Sequence, residues 1–198
     1  IPVHFAGLSA DMEKILSLAK VHKLFVIEDA AHALPTTYNG KKIGNLQSDV
    51  SVFSFYANKT ITTGEGGMLV TKNQKIADRA RMMQIHGIDR QPFNRYKSKS
   101  PAWYYQVMAP GFKYNMTDLA ASIGIHQLKK VTFFSQKREK IANFYRTKLV
   151  NLPIILPPWP DNKDMHSWHL FIIQLSPSAP IDRDTFIKKM FSRLYLCS

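Results

Sequence analysis

The first ninety residues alternate short apolar runs with stretches of helical periodicity. Met12, Ile15, Leu16 and Ala19 lie on one face at helical spacing. With Ser9 or Asp11 as cap, they predict a helix to about His22. Leu24 to Ile27 is a continuous apolar run, the pattern of a parallel strand buried on both faces. It runs into Glu28-Asp29-Ala30-Ala31-His32-Ala33. Tyr38-Asn39-Gly40-Lys41-Lys42-Ile43-Gly44 predicts a turn or small hairpin. Val50 to Thr71 then reads as an apolar strand, a polar loop carrying Lys59, a turn with Gly64, Gly66 and Gly67, and a second strand. Ile76, Ala80, Met82 and Met83 form a helical stripe from Asn73 to about His86, with Gly87 as the expected C-cap. Alternating helix and strand favours an α/β sheet over a helical bundle.

Residues 88–110 lose this periodicity and become basic and aromatic, with Arg90, Arg95, Lys97, Lys99, Trp103, Tyr104 and Tyr105. A loop of that length usually carries function. A helix follows Gly111-Phe112-Lys113-Tyr114-Asn115, capped by Asn115 or Thr117, with Leu119, Ala120, Ile123 and Leu128 as its apolar side. Another is expected from Ser135 to Leu149. The proline-rich stretch 151–164 reads as a linker, Trp168 to Leu175 as a strand, and Asp182 to Arg193 as a helix capped by Asp182 or Asp184. A closing strand and helix cannot stand alone. We therefore expect a larger α/β domain over 1–134, then a connecting helix and the start of a smaller domain over 135–198.

Composition narrows the classes. The chain has 198 residues, 45% of them apolar and 12% aromatic, which excludes a disordered chain. Its net charge of +13 directs attention to anionic partners. The basic residues are dispersed as singles and pairs such as Lys41-Lys42 and Lys129-Lys130, with no nucleic-acid-binding signature. A nucleic-acid partner is not expected. Cys197 is the only cysteine, so no internal disulfide framework exists and a reducing cytoplasm is the expected location. No apolar segment is long enough for a membrane helix. The chain opens at Ile1 inside a strand-like run and without methionine, which reads as part of a longer polypeptide.

Three residues converge on one chemistry. Asp29 lies at a strand end, Ser54 closes the next strand, and Lys59 follows five residues later. Carboxylates at such strand ends sit where open α/β sheets bind ligands. Partial burial of a lysine disfavours its charged form and frees an amine for carbonyl chemistry. Pyridoxal phosphate needs such groups: an amine for its aldehyde, an acid for its ring nitrogen, and hydroxyl and amide donors for its phosphate. The spacing also admits plainer roles: a solvated loop lysine, Asp29 as a helix cap, a strand hydroxyl at Ser54, and Asn115 as an N-cap. His166 and His169 have a spacing open to metal, but no carboxylate or cysteine cluster accompanies them. His4 and His86 read as structural or rim residues.

Several ordered motifs together resemble the DegT/StrS nucleotide-sugar aminotransferases, pyridoxal-phosphate enzymes of fold type I. They are P-V-H-F-A-G at Pro2 to Gly7, E-D-A-A-H-A at Glu28 to Ala33, S-F-Y-A-N-K at Ser54 to Lys59, G-E-G-G at Gly64 to Gly67, P-G-F-K-Y-N-M-T-D at Pro110 to Asp118, and W-H-L-F at Trp168 to Phe171. The resemblance implies that Lys59 binds the cofactor aldehyde and shuttles a proton, and that Asp29 pairs with the pyridine nitrogen. It implies that His32 meets the phenolic oxygen, where many relatives carry glutamine, and that Ser54 donates to the phosphate. Asn115 would reach the phosphate of a neighbouring subunit, which implies a homodimer with shared sites. Lys59 stands where dehydratases of this fold carry histidine, so transamination is the implied reaction. The substrate would be a keto group on a nucleotide-linked sugar, with features of the UDP-4-keto-sugar branch, and the donor glutamate. Arg90, Arg95 and Lys113 would then steer its diphosphate. Family members are longer than this chain. The segments that supply a Gly-Thr phosphate loop, a stacking aromatic and most of the small domain have no counterpart in it. The alternative expectation is an incompetent remnant that dimerises or binds anions.

Overall fold

The computed structural model describes residues 1–89, 105–160 and 164–194. The first helix, α1 (Met12–Val21), begins where expected because the Asp11 side chain accepts the Lys14 amide. Its end explains why the next strand starts late. Lys23 turns into the left-handed region (φ 52), the Leu24 amide reaches back to the Ala19 carbonyl, and the Lys23 amide reaches that of Lys20. This is a Schellman closure with lysine in the usual glycine place. It consumes Leu24, so β1 is Ile27–Asp29 rather than Leu24 to Ile27.

The main sheet has the order β1-β4-β5, where β4 is Val50–Ser54 and β5 is Gly67–Val70. β1 runs parallel to β4, pairing Glu28 with Ser51 and Asp29 with Val52. β5 returns antiparallel, pairing Val52 with Leu69 and Ser54 with Gly67. On the far side of β1, Val3 bridges Asp29 in parallel. The hairpin of β2 (Thr37–Tyr38) and β3 (Lys41–Lys42) turns through Asn39 and Gly40, both at positive φ, as a two-residue hairpin loop requires.

The sheet buries one face far more fully than the other, on which Val50 is covered. Phe53 and Val26 join Met12 and Ala19 of α1, with Ala30, Ala33, Ile43 and Leu46, in the core. On the opposite face, Ile27, Val52 and Leu69 are each 40% exposed, and Phe25 beside them is 79% exposed. The expectation of a strand buried on both faces is therefore corrected: only Val26 of that apolar run is buried.

α2 (Gln74–Met83) is capped by Asn73, whose side chain accepts the Lys75 and Ile76 amides. It stops four residues before Gly87, which instead sits at φ 72 in the following loop. Thr117, not Asn115, caps α3 (Asp118–Leu128). The expected apolar side of that helix is uncovered, with Leu119 80% and Leu128 54% exposed. α4 (Val131–Leu149) starts four residues before the expected Ser135. Two short strands, β6 (Ile154–Ile155) and β7 (Gln174–Leu175), pair antiparallel, and α5 (Arg183–Leu194) follows with the Asp182 carboxylate on the Thr185 amide. β6 lies within the proline-rich stretch read as a linker. The expected strand from Trp168 is shortened to its last two residues, because the Ser167 and Leu170 amides on either side of its start bond the Gly7 and Ala6 carbonyls of the 3₁₀ turn Phe5–Gly7.

Candidate active site

Parallel pairing brings the C-terminal ends of β1 and β4 to the same edge of the sheet, and with them Asp29 and Ser54. Lys59 stands in the loop after β4, half-buried, its amide on the Tyr56 carbonyl. The glycine turn after it needs the absence of a side chain: a Cβ on Gly67 would come within 2.7 Å of the Phe53 carbonyl oxygen.

His32 stands beside this edge. Burial lowers its pKa and the positive charge of Lys59 lowers it further, while Asp29 pulls it up. Lys59 and Asp29 therefore both lie near enough to His32 to act on it electrostatically. The His32 Nδ1 accepts the Ala6 amide at 3.3 Å, which places the ring proton on Nε2. Asp29 Oδ1 accepts the Ala31 amide at 3.1 Å. The Ser54 Oγ accepts the Tyr56 amide at 3.3 Å and keeps its own proton to donate.

A residue set aside on sequence joins the cluster. The His169 ring lies tilted against that of His32, with centroids 4.2 Å and planes 35° apart, and its Nδ1 is buried with no hydrogen-bond partner among the described residues. Its pKa falls to about 4, first through burial and then through His32, Lys59 and Arg138. His166 faces elsewhere: its ring stacks on Trp168 at 3.8 Å and its Nδ1 accepts the Trp168 amide. The signal for His169 was its place in W-H-L-F, since helical spacing from His166 had pointed only to metal.

The 3₁₀ turn Phe5–Gly7 ties these parts together. Ser167 donates to the His32 carbonyl, and the Gly7 carbonyl accepts both the Ser167 amide and the Thr36 hydroxyl. Gly7 sits at φ 103, and a Cβ there would collide with the Ser167 hydroxyl.

Asn115 and Lys113 line a groove that Asp29, His32, Ser54 and Lys59 do not border. Both are exposed, and the Lys113 Nζ donates to the Asn115 Oδ1. The groove is open, of about 990 Å³, and Gly66, Gly67 and Arg81 border it with them. Arg90 and Arg95, with Lys97, Lys99, Trp103 and Tyr104, fall outside the described residues. Tyr105 is half exposed.

The donor set fits pyridoxal phosphate. A half-buried amine, a strand-end carboxylate, a hydroxyl and an uncharged imidazole share one edge, and a buried orphan nitrogen on His169 awaits a polar partner. Among the described residues no group of three metal-ligating side chains occurs, and no helix is long and apolar enough to cross a membrane.

The model of the DegT/DnrJ/EryC1/StrS aminotransferase family matches residues 1–194. Spore coat polysaccharide biosynthesis protein SpsC of Bacillus subtilis is 46% identical over 175 residues, 88% of this chain and 44% of SpsC. Helicobacter pylori PseC, an aminotransferase involved in the biosynthesis of pseudoaminic acid, is 32% identical with a TM-score of 0.79, over 95% of this chain and 46% of PseC. DesV of S. venezuelae, solved in complex with a ketimine intermediate, is 30% identical with a TM-score of 0.79, over 96% of this chain and 47% of DesV. The chain spans about half the length of the curated relatives it matches. By sequence over its whole described length, and by fold, it belongs to the DegT/DnrJ/EryC1/StrS aminotransferase family.

Proposed function

We propose that the protein containing this chain is a pyridoxal-phosphate aminotransferase that moves an amino group from glutamate to a keto group of a nucleotide-linked sugar. The observation that carries this reading is that parallel pairing brings Asp29 and Ser54 to one sheet edge, with Lys59 in the loop that follows and His32 within its electrostatic reach. SpsC and PseC, which act in polysaccharide and sugar biosynthesis, support the substrate class. Residues 1–134 would belong to the cofactor-binding domain, and 135–198 to the connecting helix and the start of a smaller one.

The cofactor supplies an aldehyde for the amino group and a ring that draws electrons from the adjacent carbon. The side chains then have distinct tasks. Lys59 Nζ would hold the aldehyde and, as a free amine, would be the base that moves a proton beside it. Asp29 would keep a proton on the ring nitrogen, and Ser54 would donate to the phosphate. His32, held uncharged, would offer its Nε2 proton to the phenolic oxygen. Asn115 would serve a second subunit's site in a homodimer, a reading that its exposure supports. Lys113, Arg90 and Arg95 would meet the diphosphate, and the cytoplasm is the compartment that fits such a substrate.

Borohydride reduction of the protein with pyridoxal phosphate, followed by peptide mass mapping, should place the label on Lys59. Lys59→Ala should remove it, together with glutamate-dependent loss of the visible absorbance. A folded protein that takes no label at saturating cofactor would instead support the remnant reading.

A further inference from the structure

Beneath the cofactor edge lies a polar cluster that the reaction does not use. Glu28 and His4 are both fully buried, with His4 Nε2 2.9 Å from Glu28 Oε2. The other carboxylate oxygen accepts the hydroxyls of Ser51, at 2.7 Å, and of Ser48. His4 Nδ1 accepts the Ala10 amide at 3.1 Å. That bond assigns the ring proton to Nε2, where it is donated to Glu28. Each polar atom of the couple thus has a partner.

Burying a carboxylate in this way is not an efficient route to stability. Replacing a buried ionic group by apolar side chains of similar volume is often neutral or stabilising, and the best-attested use of such groups is to fix register. Here the register has an evident object. Glu28 and Asp29 are neighbours in β1, so their side chains leave opposite faces of the strand. Holding Glu28 from below fixes the height of Asp29 above.

The same short segment reaches the second cofactor residue. The His4 amide donates to the Asp29 carbonyl at 3.0 Å, and the Asp29 amide to the Pro2 carbonyl at 2.9 Å. Two residues beyond His4, the Ala6 amide meets His32 Nδ1 and leaves the Nε2 proton for a ligand. We propose that His4 and Glu28 are positioning residues: their buried bond sets the Phe5–Gly7 turn on β1, and so places the Asp29 carboxylate and the His32 ring together at the cofactor.

This inference rests on the aminotransferase reading, and two measurements on the complete polypeptide separate them. In the protein without cofactor, hydrogen exchange of the His4 and Asp29 amides reports the register directly. His4→Ala should speed exchange in the residues around Asp29 while leaving the amides of α2 unchanged. With pyridoxal phosphate added, the same variant should bind roughly tenfold more weakly, as when a partner that orients a ligand-binding side chain is lost. The pH midpoint of the bound-cofactor absorbance should also shift, because the carboxylate facing the ring nitrogen has moved.

Glu28→Gln is the rescue. Its amide oxygen can accept from His4 and its NH₂ can donate to the two serine hydroxyls, so affinity and pH midpoint should stay close to those of the parent. Ser51→Ala removes one donor only and should shift both in the His4→Ala direction by less, which keeps the test usable if His4→Ala does not fold. A variant set that loses thermal stability while keeping the parent's exchange pattern, affinity and pH midpoint overturns the proposal. If the parent binds no cofactor, the aminotransferase reading falls, and the exchange measurement still decides whether the couple fixes Asp29.

Discussion

Single residues in this chain take their chemistry from neighbours distant in sequence. His32 is an ordinary imidazole in composition, and burial with the Lys59 charge is what lowers its pKa. Removing that charge favours the imidazolium. Lys59→Met should therefore raise the His32 titration midpoint in an NMR pH series, though burial should keep it below the usual histidine value. Glu28 shows the opposite balance. Burial raises its pKa, but bonds from His4, Ser48 and Ser51 outweigh burial and leave it below the usual carboxylate value.

At the scale of elements, the local signals were legible wherever a cap or turn fixed them. Asp11, Asn73 and Thr117 start helices because each side chain accepts an otherwise orphaned amide. Asn73→Ala should cost about 1 kcal/mol, read from the shift of the denaturant midpoint. Misreadings arose where one residue had two uses. Leu24 looked like strand, but closing α1 consumed it; the segment after Trp168 looked like strand, but the Phe5–Gly7 turn claimed the Leu170 amide. The strand pair β6–β7 was hidden because prolines around Ile154 outweighed a two-residue signal.

Across the whole molecule, the buried histidines set the pH response. An unfolded histidine titrates near 6.5. His166 is held to about 4 by burial, and His169 to a similar value. Between those limits the unfolded chain binds more protons, so stability should fall as the pH drops from about 6.5 to about 4. His166 alone could contribute about 3 kcal/mol as an upper bound. Glu28 and Asp164 act in the same direction at lower pH. Their folded pKa values are depressed, so their contribution is present above the usual carboxylate range and lost as the pH falls through the folded values. For Asp164, burial works against the shift, and the Gly40 and Asn39 amides and Thr37 hydroxyl overcome it. Denaturant unfolding at about pH 7 and about pH 4 should show the decline, and His166→Phe, which keeps an aromatic ring against Trp168, should flatten it.

The amino-acid order alone was enough to predict an α/β chain, to place most helices and the Asn39-Gly40 hairpin, and to mark Asp29, Ser54 and Lys59 as candidates; His32 became one only through the resemblance of its motif to a family. Those inferences rest on short-range physics: periodicity, capping, turn geometry, and motifs whose residues are close in sequence. Tertiary structure alone decided that His169 packs tilted against His32, that His4 and Glu28 are bonded in the interior, and that Asn115 lines a groove that Lys59 does not border. It also decided that the sheet face with Ile27, Val52 and Leu69 is uncovered in this chain. The cause is common to all of these. Burial and long-range contact depend on which segments meet, and an apolar or titratable side chain carries no mark in sequence of what will cover it.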